Sequence, residues 1–192
     1  MPRSAEPTRE RLVDAAFALF TENGFARTTV EQITRRACVS QRTFFRHFPD
    51  KEEVLFADDD RLLPTIIGAI CADDEPVAAE ELMADVLGGL AAVMTPDRNR
   101  LRARQQIVDG DVALTGRELA KQAQWQPSIA AALVERGFQP HTSDLLAAVG
   151  FTLFRASLHE WLLDYDGPTL RERVVTALPD VRAMLDEVST PT

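Results

Sequence analysis

Apolar residues recur at intervals of three and four along almost the whole chain, and nowhere do they alternate as a half-buried strand requires. A chain patterned this way hides its hydrophobic surface by packing helix on helix, so the expected class is all-α. Local signals divide the pattern into about nine helices. The first runs from Thr8 to Glu22, with Leu12, Ala16, Leu19 and Phe20 as its apolar stripe and Asn23-Gly24 as its stop. Thr29 and Gln32 stand at capping-box spacing and open a short second helix that turns Val30, Ile33 and Ala37 inward. Ser40 caps a third helix, which Pro49 ends. Asp50 and Glu53 form another capping pair, which predicts one long fourth helix from Lys51 to about Cys71. Beyond a linker at 72–76, helical stretches are expected at about 77–94, 98–108, 113–136, 142–165 and 168–188, the last kinked or split at Pro179.

Several function classes fall away at once. No apolar run approaches the ~18–20 residues of a spanning helix, which argues against a membrane partner. Arg9, Glu10, Arg11 and Asp14 interrupt any secretory core at the N-terminus. Cys38 and Cys71 do not make a disulfide framework, and together these features point to the cytoplasm. There is no phosphate-cradling glycine loop, no G-x-S-x-G, no H-E-x-x-H and no Cys/His cluster. The three histidines, His47, His141 and His159, are scattered. Neither catalysis nor a metal or other cofactor is therefore expected.

The formal charge of −9 argues at first against a nucleic-acid partner. Counted by segment it does not. Residues 1–48 hold eight arginines against five acids, a net +3, while the remaining 144 residues hold 13 basic and 25 acidic groups, a net −12. Within the basic head, residues 30–48 form a short helix, a tight turn at Cys38-Val39-Ser40 and a second short helix. So short a turn makes the pair cross steeply and presents the second helix outward, as a major groove requires. Phe44 and Phe48 would pack inward and leave Gln41, Arg42, Thr43, Arg46 and His47 on the other faces. Gln and Arg suit adenine and guanine edges, and Thr and His suit phosphates.

Residues 8–56, with GFARTTVEQITRRACVSQRTFFRHFPDKEEVLF at their heart, resemble the DNA-binding domain of the TetR family of bacterial transcriptional regulators. The resemblance implies an N-terminal three-helix helix-turn-helix domain, 8–56. A long fourth helix would join it to a helical effector-binding and dimerisation domain, 57–192. It implies that Thr29 holds a phosphate, that Gln41, Arg42, Thr43 and Phe45 face base edges or the groove wall, and that Arg46, His47 and Lys51 lie on or beside the backbone. Two residues depart from the family pattern. Cys38 stands where members usually have Gly, so it adopts either a strained φ > 0 or an altered turn. Phe45 replaces a frequent Tyr and loses a phosphate-binding hydroxyl, leaving a ring for a thymine methyl or the sugar-phosphate backbone.

The acidic body supplies two more expectations. Leu145–Leu163 is apolar on most sides apart from Thr152, Arg155 and His159, so it needs cover from two directions. A symmetry mate is one cover, with the last helix (Val174, Val175, Leu178, Val181, Met184, Leu185) alongside; burial within one chain is the other. The resemblance favours a homodimer through the last two long helices, and hence a palindromic double-stranded operator. A small, mostly apolar effector would be lined by Ile66, Trp125, Phe151 and Phe154, with Gln105, Gln106, Arg155 and His159 among its polar contacts. The Arg98-Arg100-Arg102-Arg104 run does not share one helix face and suits pairing with Asp58-Asp59-Asp60 and other acids. The function these features support is a ligand-released repressor. The competing reading is a TetR-like protein-interaction module with little DNA binding.

Overall fold

The computed structural model describes residues 6–72, 75–177 and 179. These residues contain no strand. Their helices are α1 (Glu6–Asn23), α2 (Val30–Arg36), α3 (Gln41–His47), α4 (Asp59–Ile70), α5 (Ala79–Met94), α6 (Arg98–Asp109), α7 (Val112–Glu135) and α8 (Pro140–Leu163). A ninth, α9, is described over 170–177. Short 3₁₀ turns span Glu52–Phe56 and Thr95–Asp97. The expected kink at Pro179 and the inward positions Leu178, Val181, Met184 and Leu185 lie outside the described residues or rest on them.

The helix ends sit where the local chemistry puts them. Gly24 takes φ +82° and closes α1, while the buried Thr28 hydroxyl donates to the Leu19 and Gly24 carbonyls. The Thr29–Gln32 capping box forms in both directions, with Gln32 N–H on Thr29 Oγ1 at 3.2 Å and Thr29 N–H on Gln32 Oε1 at 2.8 Å. Ser40 Oγ accepts from the Thr43 N–H at 3.1 Å, and Asp50 Oδ1 accepts from the Glu53 N–H at 2.7 Å.

One element differs from expectation. Instead of a continuous helix from Lys51, residues 52–56 form a 3₁₀ turn, and α4 begins only at Asp59. The cause is burial on all sides: Val54, Leu55, Phe56 and Ala57, four residues in a row, are all below 4% exposed. Successive α-helical residues step by about 100°, so an amphipathic helix cannot turn four neighbours toward one core.

The chain packs as two compact units, and each draws on separated stretches of sequence. One consists of residues up to Asp59 with Asn99–Glu118; the other consists of Asp60–Arg98 with the residues from Leu119 onward. In the first, Leu12, Ala16, Phe20, Ile33, Phe44, Phe48, Val54 and Phe56 share one core with Val108 and Leu114 from α6 and α7. The sequence reading draws a single line at 56/57, whereas packing adds the 99–118 stretch to the helix-turn-helix side.

In the second unit α4, α5, the later part of α7 and α8 enclose a core that includes Ile70, Leu87, Leu133 and Trp161. Arg98 caps the end of α8. Its guanidinium donates to the Trp161 and Asp164 carbonyls and lies between the Trp161 and Tyr165 rings, 4.4 and 4.3 Å from their centroids.

Candidate nucleic-acid interface

The turn between α2 and α3 is a Schellman close. Val39 N–H reaches the Thr34 carbonyl at 3.0 Å and Cys38 N–H reaches the Arg35 carbonyl at 3.3 Å. That pattern needs a left-handed residue after the C-cap, and Cys38 supplies it at φ +55°, the one positive-φ residue other than glycine among the described residues. The turn is therefore of ordinary geometry, and the strain sits on the cysteine.

On α3 the periodicity sorts the side chains as expected. Phe44 and Phe48 are fully buried, their ring centroids 5.6 Å apart, with the Arg9 guanidinium 5.0 Å above Phe48. Gln41, Arg42, Phe45 and Arg46 are exposed and share one continuous face, in which residues four apart stand above one another. Phe45 is 54% exposed, a large apolar side chain left open on a charged helix. Thr43 and His47 flank this face and are half-buried. The Thr43 hydroxyl is engaged by Ser40 Oγ at 2.9 Å.

The electrostatics of the head separate its arginines. Arg35 pairs with Glu31 at 2.6 Å, and Arg36 with Glu22 at 2.6 Å. The Arg36 hydrogen bond holds the Glu22 carboxyl below its usual range. Among the described residues no carboxylate forms an ion pair with Arg42 or Arg46, so both bring uncompensated positive charge to the exposed face of α3.

Two expected contact residues, Thr29 and Lys51, have intramolecular roles, and a third, His47, is half-buried. Thr29 is exposed at the start of α2, but its hydroxyl belongs to the capping box. Lys51 Nζ donates to the Phe25 and Thr28 carbonyls at 2.9 and 3.1 Å and sits 4.2 Å above the Phe25 ring, so it ties down the turn before α2. His47 Nε2 is buried without a hydrogen-bond partner among the described residues. Burial, then the charges of Arg46 and Arg9, push the His47 pKa below the usual histidine value, so the ring is neutral at pH 7. A hydrogen bond from His47 to phosphate would have to come from Nδ1.

Sequence reasoning missed a second set of residues that shape this site. Arg104 of α6 donates through Nε to the Leu55 carbonyl at 2.8 Å and pairs with the buried Glu118 at 2.6 Å. Arg117 of α7 pairs with Asp50 at 3.0 Å and Glu53 at 2.6 Å. Both guanidiniums lie near the Phe56 ring, at 5.0 and 5.9 Å. Burial opposes the Arg117 charge, but the hydrogen bonds and charges of Asp50 and Glu53 outweigh it, and its pKa is raised. The sequence suggests acids in general as partners for the 98–104 arginines, and Arg100 does lie 3.6 Å from Asp58 and 3.7 Å from Asp14. No local pattern names Glu118 as the partner of Arg104, or Asp50 and Glu53 as the partners of Arg117.

Within the second unit, three of the expected apolar effector residues gather at one cavity and the polar ones do not. The second unit contains a cavity of about 30 Å³, room for little more than a water molecule, lined only by apolar side chains. Ile66 and Phe151 are in its wall, and Trp125 packs on Phe151 with ring centroids 6.1 Å apart. Phe154 is buried in the core outside the wall. Gln105 and Gln106 belong to the other unit, where Gln105 donates to Asp109 at 2.8 Å and Gln106 is exposed. Arg155 and His159 are on the exposed side of α8. The polar half of the expected lining therefore does not face this cavity, because the inward stripe of α8 runs through Ser143, Ala147, Gly150, Phe154, Ser157 and Trp161 instead.

Among the described residues no group of three or more potential ligands lies together as a metal site, and no helix is long and apolar enough to cross a membrane. Residues 12–57 match the model of the tetR family of bacterial regulatory proteins. Over 190 residues, 97% of this chain and 96% of the relative, the sequence is 24% identical to MftR of Mycobacterium tuberculosis, whose assignment to mycofactocin biosynthesis regulation is itself provisional. A 52-residue stretch, 27% of this chain and 23% of the relative, is 50% identical to the HTH-type transcriptional regulator TcmR of Streptomyces glaucescens. The fold is similar to that of Thermus thermophilus FadR, a repressor solved with lauroyl-CoA, at TM-score 0.61 and 24% identity over 96% of each chain. The helix-turn-helix geometry and the family match fall on the same segment: residues 12–57 are those of a tetR-family helix-turn-helix, and along its length the chain is similar to a transcriptional regulator.

Proposed function

We propose that the protein is a homodimeric, non-enzymatic repressor of the cytoplasm that binds a palindromic operator and is released by a small apolar effector. The observation that carries DNA reading is the α3 face, with Gln41, Arg42, Phe45 and Arg46 exposed and both arginines without an acidic partner among the described residues. Gln41 and Arg42 suit base edges, Phe45 suits a thymine methyl, and Arg46 suits phosphate. Thr43 and His47 flank this face, and with Thr29 and Lys51 they would make any DNA contacts with the groups their internal bonds leave over.

Dimerisation is supported by the outer side of α8, where Leu145, Val149 and Leu163 are 52%, 39% and 66% exposed. Large apolar side chains left open to water along one side of a helix suit an interface. Two-fold pairing would offer two recognition helices to half-sites about 34–36 Å apart. The apolar cavity supports an effector without charge at its buried end, and at about 30 Å³ it must widen to admit one. Ile66 and Ile70 of α4 are in its wall, so widening would act on the helix that follows the head in sequence.

The test is a titration of the full chain against genomic DNA fragments across a salt series. Sequence-selective affinity that falls steeply with salt is the expected result. Arg42→Ala should cost roughly 1–3 kcal/mol of binding and relax preference at one base pair of each half-site. Weak, sequence-blind binding would favour a protein-interaction module instead, and unchanged preference in Arg42→Ala would remove that residue from base readout.

A further inference from the structure

The segment 50–53 joins three parts of the first unit. Lys51 holds the turn before α2 through the Phe25 and Thr28 carbonyls. Asp50 spends one carboxylate oxygen on the Glu53 N–H and the other on Arg117 Nη1, at 3.0 Å. Arg117 Nη2 closes on Glu53 at 2.6 Å. The segment begins three residues after the last residue of α3, and Phe48 between them is buried against Phe44. Whatever holds Asp50 and Glu53 therefore holds the C-terminal end of the recognition helix.

A helix of seven residues does not fix its own position, since isolated helices this short are unstable in water. Its aim must come from tertiary contacts. Arg117 supplies such a contact, because its planar fork engages two carboxylates at once and both lie on the segment that leaves α3. We propose that Arg117 is a positioning residue for DNA reading, holding α3 in its groove-ready aim through Asp50 and Glu53 without itself touching DNA. The inference rests on base readout by α3.

The probe is the duplex that the full-length protein selects from a random-sequence library. In the full chain, Arg117→Met is expected to weaken binding to it by about tenfold while leaving the slope of log affinity against log salt unchanged, because no phosphate contact is lost. Arg117→Lys keeps the charge, reaches one carboxylate and should recover most of the loss. Arg117→Met with Glu53→Gln restores the net charge and should bind no better than Arg117→Met alone. Amide exchange over 41–48 should quicken in Arg117→Met while that of α8 stays as in the parent. Parental affinity in Arg117→Met, a slope reduced by about one, or full recovery in the double variant would overturn the proposal. If Arg117→Met does not fold, Glu53→Gln carries the same expectations at smaller amplitude. If no duplex is selected, base readout by α3 has failed, and exchange over 41–48 decides the clamp on its own: faster exchange supports it and unchanged exchange overturns it.

Discussion

Single residues in the head carry costs that a sequence motif does not display. Cys38 occupies a left-handed position that disfavours any side chain by roughly 1–2 kcal/mol. Cys38→Gly should therefore stabilise the protein by about 1 kcal/mol, less what glycine loses in the unfolded chain, and raise the melting temperature with the turn unchanged. Lost stability would mean that the thiol makes a contact worth more than the strain. His47 sets a pH dependence. Its folded pKa is below the usual value, so the unfolded chain takes up the proton first, near pH 6.5. The stability it supports is complete above that pH and is lost as the pH falls through it toward the lower folded value. Melting measured from pH 7.5 to 5 should show this decline, and His47→Gln should remove that part of it.

At the scale of elements, caps were legible because they are local. Thr29–Gln32, Ser40 and Asp50–Glu53 each satisfy helix-end N–H groups within three residues, and all three form. Ser40→Ala should cost about 1 kcal/mol and speed amide exchange in the first turn of α3, with little change elsewhere. The turn at 52–56 was not legible. Its apolar run fits one face of a longer helix equally well, and what selects the 3₁₀ form is enclosure from every side. Part of that enclosure comes from Arg104 and Arg117, about 50 and 60 residues further along the chain. The α8 pattern shows the same division. Its excess of apolar residues was visible in the sequence, but which ones face the core was not, and Arg155 and His159 fell on the exposed side.

At the scale of the whole molecule, the charge division and the open side of α8 point to association. Leu145→Gln with Val149→Gln should shift the protein to monomer in sedimentation at micromolar concentration. Because both side chains are exposed in the single chain, folding should survive. Operator affinity should then fall by at least tenfold, since a head of net +3 on a body of net −12 has little hold on DNA alone. A dimer that persists in this variant would place the interface elsewhere.

The sequence by itself determined the helical class, the capped helix-turn-helix and the outward Gln41, Arg42 and Arg46, because periodicity and caps act within a few residues, while the outward Phe45 was implied by the family resemblance. It also carried the charge asymmetry, which is a sum over residues and needs no coordinates. Only the tertiary structure decided that Asn99–Glu118 packs with the head-side residues, that Lys51 is tied to the turn before α2, and that the cavity of the second unit is small and wholly apolar. Each of these depends on which distant side chain fills the last space or meets the last unpaired charge. Such contacts are set by packing, and no spacing in the sequence encodes their partners.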